Sequence, residues 1–142
     1  MQPKQPRPQP SLPGGDRSSF RYFGKTVLLY EPSHGNQIEY YDENGKSYLW
    51  YPGNRIILTG EWRLEGDKIY SRYGVPTHNP VTGQHDIAGA WSSCPIIQML
   101  TTEVDVVSGD VLDLASGRLP YRLPAHPGFR SLQEAKLKSG DR

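Results

Sequence analysis

The 142-residue sequence is poor in cysteine, in long apolar runs and in hydrophobic residues as a whole. Its single cysteine excludes an internal disulfide and a cysteine-rich zinc module. No apolar stretch approaches the roughly 20 residues that cross a bilayer as a helix. The length suits one domain, so a hydrophobic content of only 35% indicates that part of the chain lies outside the core.

The shortage of hydrophobic residues is concentrated at the ends. Residues 1–19 contain only Met1 and Leu12 from the hydrophobic set, whereas 41 of the residues in 20–119 belong to it. The opening segment has proline at nearly every second or third position, which favours extended backbone. We therefore predict a Pro-rich disordered arm over residues 1–19, a β domain over 20–119 and a basic tail over 120–142.

Charge divides the chain in the same way. Residues 20–119 carry eight basic and twelve acidic residues, a net charge of −4, and the two ends together carry a net charge of +5. The basic ends are either arms for an anionic surface or charged segments that keep the chain soluble. In the tail, Ser131 and Glu134 have the spacing of a capping box, which predicts a short helix.

Between the ends, apolar residues recur at every second position and are interrupted by turn residues, a pattern that favours strands over helices. Eight strands are predicted, over residues 25–30, 37–41, 47–51, 55–64, 68–73, 90–100, 103–107 and 111–115. Tight turns are predicted at Asn44-Gly45, Pro52-Gly53-Asn54, Glu65-Gly66-Asp67 and Ser108-Gly109-Asp110. Successive hairpins predict an all-β fold, an antiparallel meander closed as a small barrel or folded as a two-layer sandwich.

The strand over residues 55–64 shows which side is buried. Its even-numbered apolar residues predict the core, whereas its odd-numbered residues are mostly polar or charged. The predicted core residues are Ile56, Leu58, Trp62 and Leu64. Gly60 lies on the same face, where it marks a bend or a place at which the Trp62 indole crosses the backbone. Val104, Val106, Leu112 and Leu114 predict a similar face for the last hairpin.

Gly60-x-Trp62 is followed by Gly66-Asp67 at a turn and by an aromatic strand that contains Arg72. This run resembles the central hairpin of a bacterial family of small exported β domains of unknown function. The resemblance covers roughly residues 36–95 and implies an exported, all-β protein. The family often has a cysteine where Tyr70 stands, and its absence here excludes the family's disulfide. Gly60-x-Trp62 is also similar to the motif of lipocalin-type barrels.

The longest connection, residues 74–89, contains the candidate metal ligands His78, His85 and Asp86. Their spacing matches no closed zinc pattern, so neither a metal nor another cofactor is predicted. Cys94 with His85 and Asp86 has the residue types of a nucleophilic site but no recognisable signature. The sequence therefore leans away from an enzyme and leaves the question open.

Aromatic residues occupy both faces of the strands around residues 40 and 50, and only one face belongs to the core. The outward set predicts a binding surface, with Tyr41, Trp50 and Tyr51 as candidates. The alternative is cross-strand pairing that stabilises the sheet without a ligand. Nucleic acid is disfavoured as a partner because these strands carry several carboxylates: Glu39, Asp42, Glu43, Glu61 and Glu65.

The predicted function is a non-enzymatic binding or accessory module that contacts a partner protein through the aromatic sheet surface and the 74–89 loop. One alternative is a lipocalin-like carrier of a small apolar ligand. The other is a metal-dependent enzyme that uses His78, His85 and Asp86. Residues 1–19 lack the long apolar stretch of a secretory signal, so the predicted location is periplasmic or secreted if a signal peptide has been removed, and cytoplasmic otherwise.

Overall fold

A computed structural model describes residues 18–33, 35–51, 54, 56–74, 81, 89–120 and 131–140. Most of the predicted Pro-rich arm and most of the 74–89 loop lie outside these residues. Among the described residues, no helix is both long enough and apolar enough to cross a membrane.

The described residues form seven antiparallel strands in one sheet that curls into a half-barrel, which confirms the all-β prediction. The strands are β1 (Lys25–Glu31), β2 (Gly35–Tyr41), β3 (Lys46–Trp50), β4 (Leu58–Glu65), β5 (Lys68–Tyr73), β6 (Ser92–Pro95) and β7 (Glu103–Ser108). Two α-helices, α1 (Ile96–Thr102) and α2 (Leu132–Gly140), and a 3-10 turn at Leu114–Ser116 complete the elements.

The strands follow one another across the sheet as a meander from β1 to β6, and β7 then returns to pair with β1. Helix α1 joins β6 directly to β7, so it connects the two edge strands of the half-barrel. Met99 of this helix is buried in the cluster on the concave face of the sheet. The helix thus contributes to the interior as well as to the connection.

The predicted hairpin turns at Gly45 and Gly66 are present. Both glycines have positive φ angles, 92° and 63°, which residues with a side chain rarely adopt. The carboxylate of Asp42 accepts hydrogen bonds from the backbone N–H groups of Asn44 and Lys46 at 2.9 and 2.8 Å. Local side-chain chemistry therefore fixes the β2–β3 turn and the register of both strands.

The predicted strand over residues 90–100 is wrong beyond residue 95, where helix α1 begins. Pro95 has no N–H group to continue the ladder. The Ile96 N–H at the start of α1 still continues the β5–β6 pairing, since it bonds to the Asp67 carbonyl oxygen at 2.9 Å. Later in the helix, the hydroxyl groups of Thr101 and Thr102 donate to the Gln98 carbonyl oxygen. These bonds hold a helical turn in place of an extended strand.

The predicted strand over residues 111–115 is also wrong. The Asp110 carboxylate accepts the backbone N–H groups of Leu114 and Ala115 at 2.8 and 2.9 Å, which stabilises a compact turn. Asp113 has a left-handed φ of 56° within this turn. Leu112 and Leu114 are nevertheless buried, because the turn folds back over the sheet.

The concave face of the sheet is filled by an aromatic cluster centred on Trp62. The Trp62 ring lies 5.0 Å from the Phe20 ring and 5.6 Å from the Tyr41 ring, measured between ring centres. Its indole N–H donates to the Asp42 carbonyl oxygen at 3.1 Å. Trp62 is only 1% exposed, as the sequence predicted.

The convex face of β1–β3 is covered by the C-terminal part of the chain. Leu28, Ile38 and Trp50 on the sheet pack in one cluster with residues of the 3-10 turn and of α2, including Leu114 and Leu132. The N–H of Leu132 donates to the Asp105 carboxylate of β7 at 2.7 Å. The Ser131 hydroxyl accepts the Glu134 N–H at 3.1 Å, so the predicted cap and helix are confirmed.

The predicted core position Ile56 is wrong, because this side chain is 50% exposed. Strand β4 begins at Leu58, and the two-residue alternation does not extend to the residues before it. Leu58 is buried and Leu64 packs against the aromatic cluster. A Cβ atom on Gly60 would lie 2.0 Å from the Arg72 carbonyl oxygen, so this glycine permits a close approach of the β5 backbone.

We predict that Trp62→Ala lowers the free energy of unfolding by about 3–5 kcal/mol, because it leaves a cavity where a large buried ring packed. Urea denaturation followed by circular dichroism measures the loss. Trp91→Ala is the matched control, since Trp91 is only half-buried, and should cost less than about 1.5 kcal/mol. Equal losses in the two variants would contradict the central position of Trp62.

Candidate functional site

Glu39 is a carboxylic acid inside the half-barrel. Its side chain points to the concave face of β2 and is only 7% exposed. The Tyr73 hydroxyl donates to Glu39 Oε2 at 2.9 Å, and the Tyr41 side chain, two residues along on the same face of β2, lies close to the same carboxyl group. The buried hydroxyl of Ser47 lies beside Tyr73. Four polar side chains from β2, β3 and β5 therefore meet within the interior.

Burial dominates the electrostatics of this interior group. It raises the pKa of Glu39, and the side chains of Tyr41 and Tyr73 offset only part of that rise. Burial and the neighbouring Glu39 also raise the pKa of both tyrosine hydroxyls well above the usual value. The carboxyl group thus retains its proton at a higher pH than an exposed glutamic acid.

Cys94 lies half-buried against the same interior cluster. Burial raises the pKa of its thiol, which lowers the thiolate fraction at neutral pH and makes it a poor nucleophile. His85 and Asp86, its proposed catalytic partners, lie outside the described residues, as does His78. Within the described part of the chain, no group of three or more His, Cys, Asp or Glu side chains is placed to hold a metal ion.

A second group of side chains lies on the convex face of β4 and β5. The guanidinium carbons of Arg63 and Arg72 lie 4.3 and 4.7 Å from the ring centre of Trp91. Arg63 also lies 5.2 Å from the ring centre of Tyr70, its cross-strand neighbour. We call these four residues the Arg–Trp cluster. At these distances a cation interacts favourably with an aromatic ring.

Two carboxylates hold the arginines of the Arg–Trp cluster in place. Arg72 pairs with Glu61 at 2.7 Å, and Arg63 pairs with Glu65 at 2.9 Å. Lys46 on β3 is paired with Glu61 on β4, and its ammonium nitrogen lies 3.9 Å from the Glu61 carboxylate. With Lys68, this face carries four basic side chains against two acidic ones, although residues 20–119 as a whole are acidic.

The neighbouring part of the convex face has the opposite charge. Tyr40 and Tyr48, paired across β2 and β3, stack with their ring centres 6.0 Å apart and their planes at 15°. Burial is the largest cause that raises the pKa of both hydroxyls, and the negative charges of Asp42 and Asp110 raise it further. Glu43 adds to this effect at Tyr40. We call the two tyrosines with these three carboxylates the acidic tyrosine pair.

The structure buries the three aromatic residues that the sequence proposed for binding. Tyr41 belongs to the interior cluster, Trp50 packs under the C-terminal segment, and Tyr51 packs with Leu49 and Leu58. The prediction that they lie on an exposed platform is therefore wrong. Its physical cause is that the sheet is covered on both sides, by its own curl on one and by the C-terminal segment on the other.

The hypothesis of a lipocalin-like carrier predicts a cavity on the inward side of β4, lined by the even-numbered residues of this strand. Leu58 and Trp62 are instead buried among the protein's own side chains. These positions contribute to packing, and the carrier hypothesis stays a prediction.

Comparison of the chain with known proteins finds no matching family model, no matching curated protein and no matching solved structure. The resemblance to a family of exported β domains therefore stays a prediction. Function has to be inferred from the geometry of the described residues.

Sequence reasoning missed the roles of Arg63, Arg72, Trp91 and Glu39. The alternation in β4 does place Arg63 outward, but neither its pairing with Tyr70 nor the position of Trp91 follows from spacing along the chain. Glu39 shares a strand face with Tyr41, and this signal for an inward carboxyl was available in the sequence. The alternation of the strand alone treats Glu39 as one of the surface charges that disfavour nucleic acid.

We predict that the contribution of Glu39 to protein stability falls as the pH rises above about 4.5, the ordinary pKa of glutamic acid, because the unfolded chain then loses this proton while the folded protein retains it. A raised pKa in the folded state gives stability that is complete below the unfolded-state pKa and is lost as the pH rises through the folded-state pKa. The slope for one proton approaches about 1.4 kcal/mol per pH unit. Glu103 has the opposite dependence, since its hydrogen bond to Arg21 lowers its pKa and its contribution is lost in acid.

Urea denaturation of the wild type and Glu39→Gln at several pH values tests this prediction. Glutamine keeps a carbonyl oxygen for the Tyr73 hydroxyl but has no proton to lose, so the difference in stability should grow in favour of the variant as the pH rises. Glu43→Gln, at an exposed position of the β2–β3 turn, is the control. Parallel curves for wild type and Glu39→Gln would show that Glu39 titrates as an exposed group.

Proposed function

We propose that this protein is a non-enzymatic interaction module that binds an anionic partner protein through the Arg–Trp cluster on the convex face of β4 and β5. The single observation that carries the proposal is the arrangement of Arg63 and Arg72 around the Trp91 ring. Tryptophan, tyrosine and arginine are the residues most enriched at the energetic centres of protein interfaces.

The charges of this face favour an anionic partner. Arg63 and Arg72 lie against the aromatic rings, and Lys46 and Lys68 lie on the same face, against Glu61 and Glu65. Both arginines are only partly buried, so their guanidinium groups are accessible to a carboxylate from another molecule. Because Glu61 and Glu65 already hold one side of each guanidinium, the arginines are fixed in position before binding, which lowers the entropic cost of association.

A protein partner fits this surface better than a nucleic acid. Glu61 and Glu65 lie between the basic groups and would repel a continuous phosphate backbone. A protein partner can place individual carboxylates beside each arginine and avoid these two. The hydrophobic cluster that the C-terminal segment forms with the convex side of the sheet contains residues of β1, β2 and β3 and none of the four residues of the Arg–Trp cluster.

The contacts of Arg63 and Arg72 with Trp91 also stabilise the fold, because Trp91 directly precedes β6 and these contacts hold that strand to the sheet. Stability and binding therefore have to be measured separately. Export of the module, which the sequence resemblance implies, stays a prediction and does not affect the binding proposal.

We predict that the double variant Arg63→Gln/Arg72→Gln loses the proteins that the immobilised wild type captures from nuclease-treated native extract. Glutamine removes the charge and the cation–aromatic contacts while it keeps a polar side chain of moderate length. Quantitative mass spectrometry of the captured proteins measures the loss, which should be about tenfold or more for a central arginine pair. Circular dichroism verifies that the variant is folded.

Arg118→Gln is the matched control for this experiment. Arg118 is an exposed arginine that pairs with Asp113 at 3.2 Å on the C-terminal segment, so its loss should leave capture unchanged. Retention of the same proteins by the double variant would contradict the proposal. If untreated extract yields captured proteins and nuclease-treated extract yields none, the partner is a nucleic acid, and this result would also contradict the proposal.

A further inference from the structure

We infer that the anionic partner of the Arg–Trp cluster is a second copy of this chain, which docks through its acidic tyrosine pair. The inference rests on the proposed function and names the partner for the same surface. It follows from the opposite charges of two groups on the convex side of the sheet: the Arg–Trp cluster on β4 and β5, and the acidic tyrosine pair, whose partly buried rings also pack against the hydrophobic cluster under the C-terminal segment.

Strand register places the two groups side by side. Tyr40, Tyr48 and Thr59 form one row across β2, β3 and β4. Lys46, Glu61 and Arg72 form the next row, across β3, β4 and β5. Since neighbouring strands are about 4.8 Å apart, the acidic and basic ends of this face are separated by roughly 10–15 Å.

The two ends are complementary in charge. The acidic end has Asp42, Glu43 and Asp110 around two tyrosine rings. Lys46, the basic residue that follows this turn, directs its ammonium group to Glu61 at 3.9 Å, and so lies toward the basic end. Asp42 and Asp110 also accept backbone N–H groups of their own turns, so the exposed Glu43 is the carboxylate best placed to pair with a guanidinium from another molecule.

A two-fold axis through the middle of this face satisfies both ends at once. If the second copy is turned by 180°, its acidic end meets the basic end of the first, and its basic end meets the acidic end. Such a dimer uses the same surface on both subunits, which is the commonest symmetry of protein oligomers. Thr59, an exposed residue with a small side chain, lies between the two ends and leaves room for close approach.

The convex shape of the half-barrel limits how much of two such faces can touch. We therefore expect an interface at the small end of the range for specific complexes and a dissociation constant in the micromolar range. Because the contacts are largely between exposed charges, the association should weaken strongly as salt is added.

Sedimentation equilibrium of the full chain, up to about 0.5 mM and at about 20 and 500 mM NaCl, tests the inference. The wild type should dimerise at low salt. Arg63→Glu places a carboxylate opposite the acidic end of the partner, and Glu43→Lys places an ammonium group opposite its basic end. Each variant alone should dissociate about tenfold or more readily than the wild type. Arg118→Glu is the control and should dimerise as the wild type does.

An equimolar mixture of Arg63→Glu and Glu43→Lys provides the sharpest result. In the mixed dimer, the new glutamate of one copy faces the new lysine of the other, and the second contact is native. The mixture should therefore regain dimerisation that neither variant shows alone. Because a misfolded variant cannot give this recovery, the result does not depend on assuming that each variant folds.

Several outcomes would overturn the inference. A wild-type chain that stays monomeric at low salt, an Arg63→Glu variant that dimerises normally, or a mixture that stays monomeric would each do so. Loss of association in Glu43→Lys but not in Arg63→Glu would show that another basic segment, such as the chain ends, occupies the acidic tyrosine pair. If the chain is monomeric but Arg63→Gln/Arg72→Gln still loses its captured proteins, the proposed function stands and only the identity of the partner is wrong.

Discussion

The packing of Trp62 against Phe20 and Tyr41 is the interaction on which the rest of the structure depends. A single sheet can hide an apolar face only if something fills the space that its curl encloses. Here the filling comes from the sheet itself, from the segment before β1 and from Met99 of α1. The interior is therefore occupied by the protein's own side chains, and this moves the search for a binding surface to the outside.

The outside of the sheet is divided by the C-terminal segment. Asp105 on β7 holds the first turn of α2, and Leu132 and Leu114 cover Trp50 on β3. This second layer protects part of the convex face, so that hydrophobic clusters lie on both sides of one sheet. Strands β4 and β5, in contrast, carry charged and aromatic side chains outward. A face of this composition is stable in water and still able to bind another molecule, since charged residues cover the aromatic rings.

The parts of the fold that depend on local chemistry could be predicted from the sequence. Alternation identified Leu58 and Trp62 as core, and the Asn44-Gly45 and Gly66 turns set the hairpins, because each signal acts within a few residues. Helix α1 and the 3-10 turn after Asp110 could not be predicted from alternation. Their apolar residues recur at i, i+1, i+3 and i+4, a helical spacing that a search for alternation does not detect, and the Asp110 carboxylate holds the second of the two turns.

The candidate site was harder to predict for a related reason. Tyr41, Trp50 and Tyr51 have the composition of a binding surface, but whether an aromatic face is exposed depends on what covers it, and the covering residues are far away in the sequence. The grouping of Arg63, Arg72 and Trp91 depends on the register between β4 and β5 and on where the chain re-enters the sheet before β6. Neither is a property of residue spacing.

Hydrogen exchange at the indole N–H groups, resolved by nuclear magnetic resonance, tests the central claim that the interior is filled and the Arg–Trp cluster lies outside. The Trp62 indole N–H is buried and bonded to the Asp42 carbonyl oxygen, so it should exchange only through unfolding, over hours or longer. The half-buried Trp91 indole N–H should exchange many times faster. Exchange of Trp62 as fast as that of Trp91 would contradict the claim.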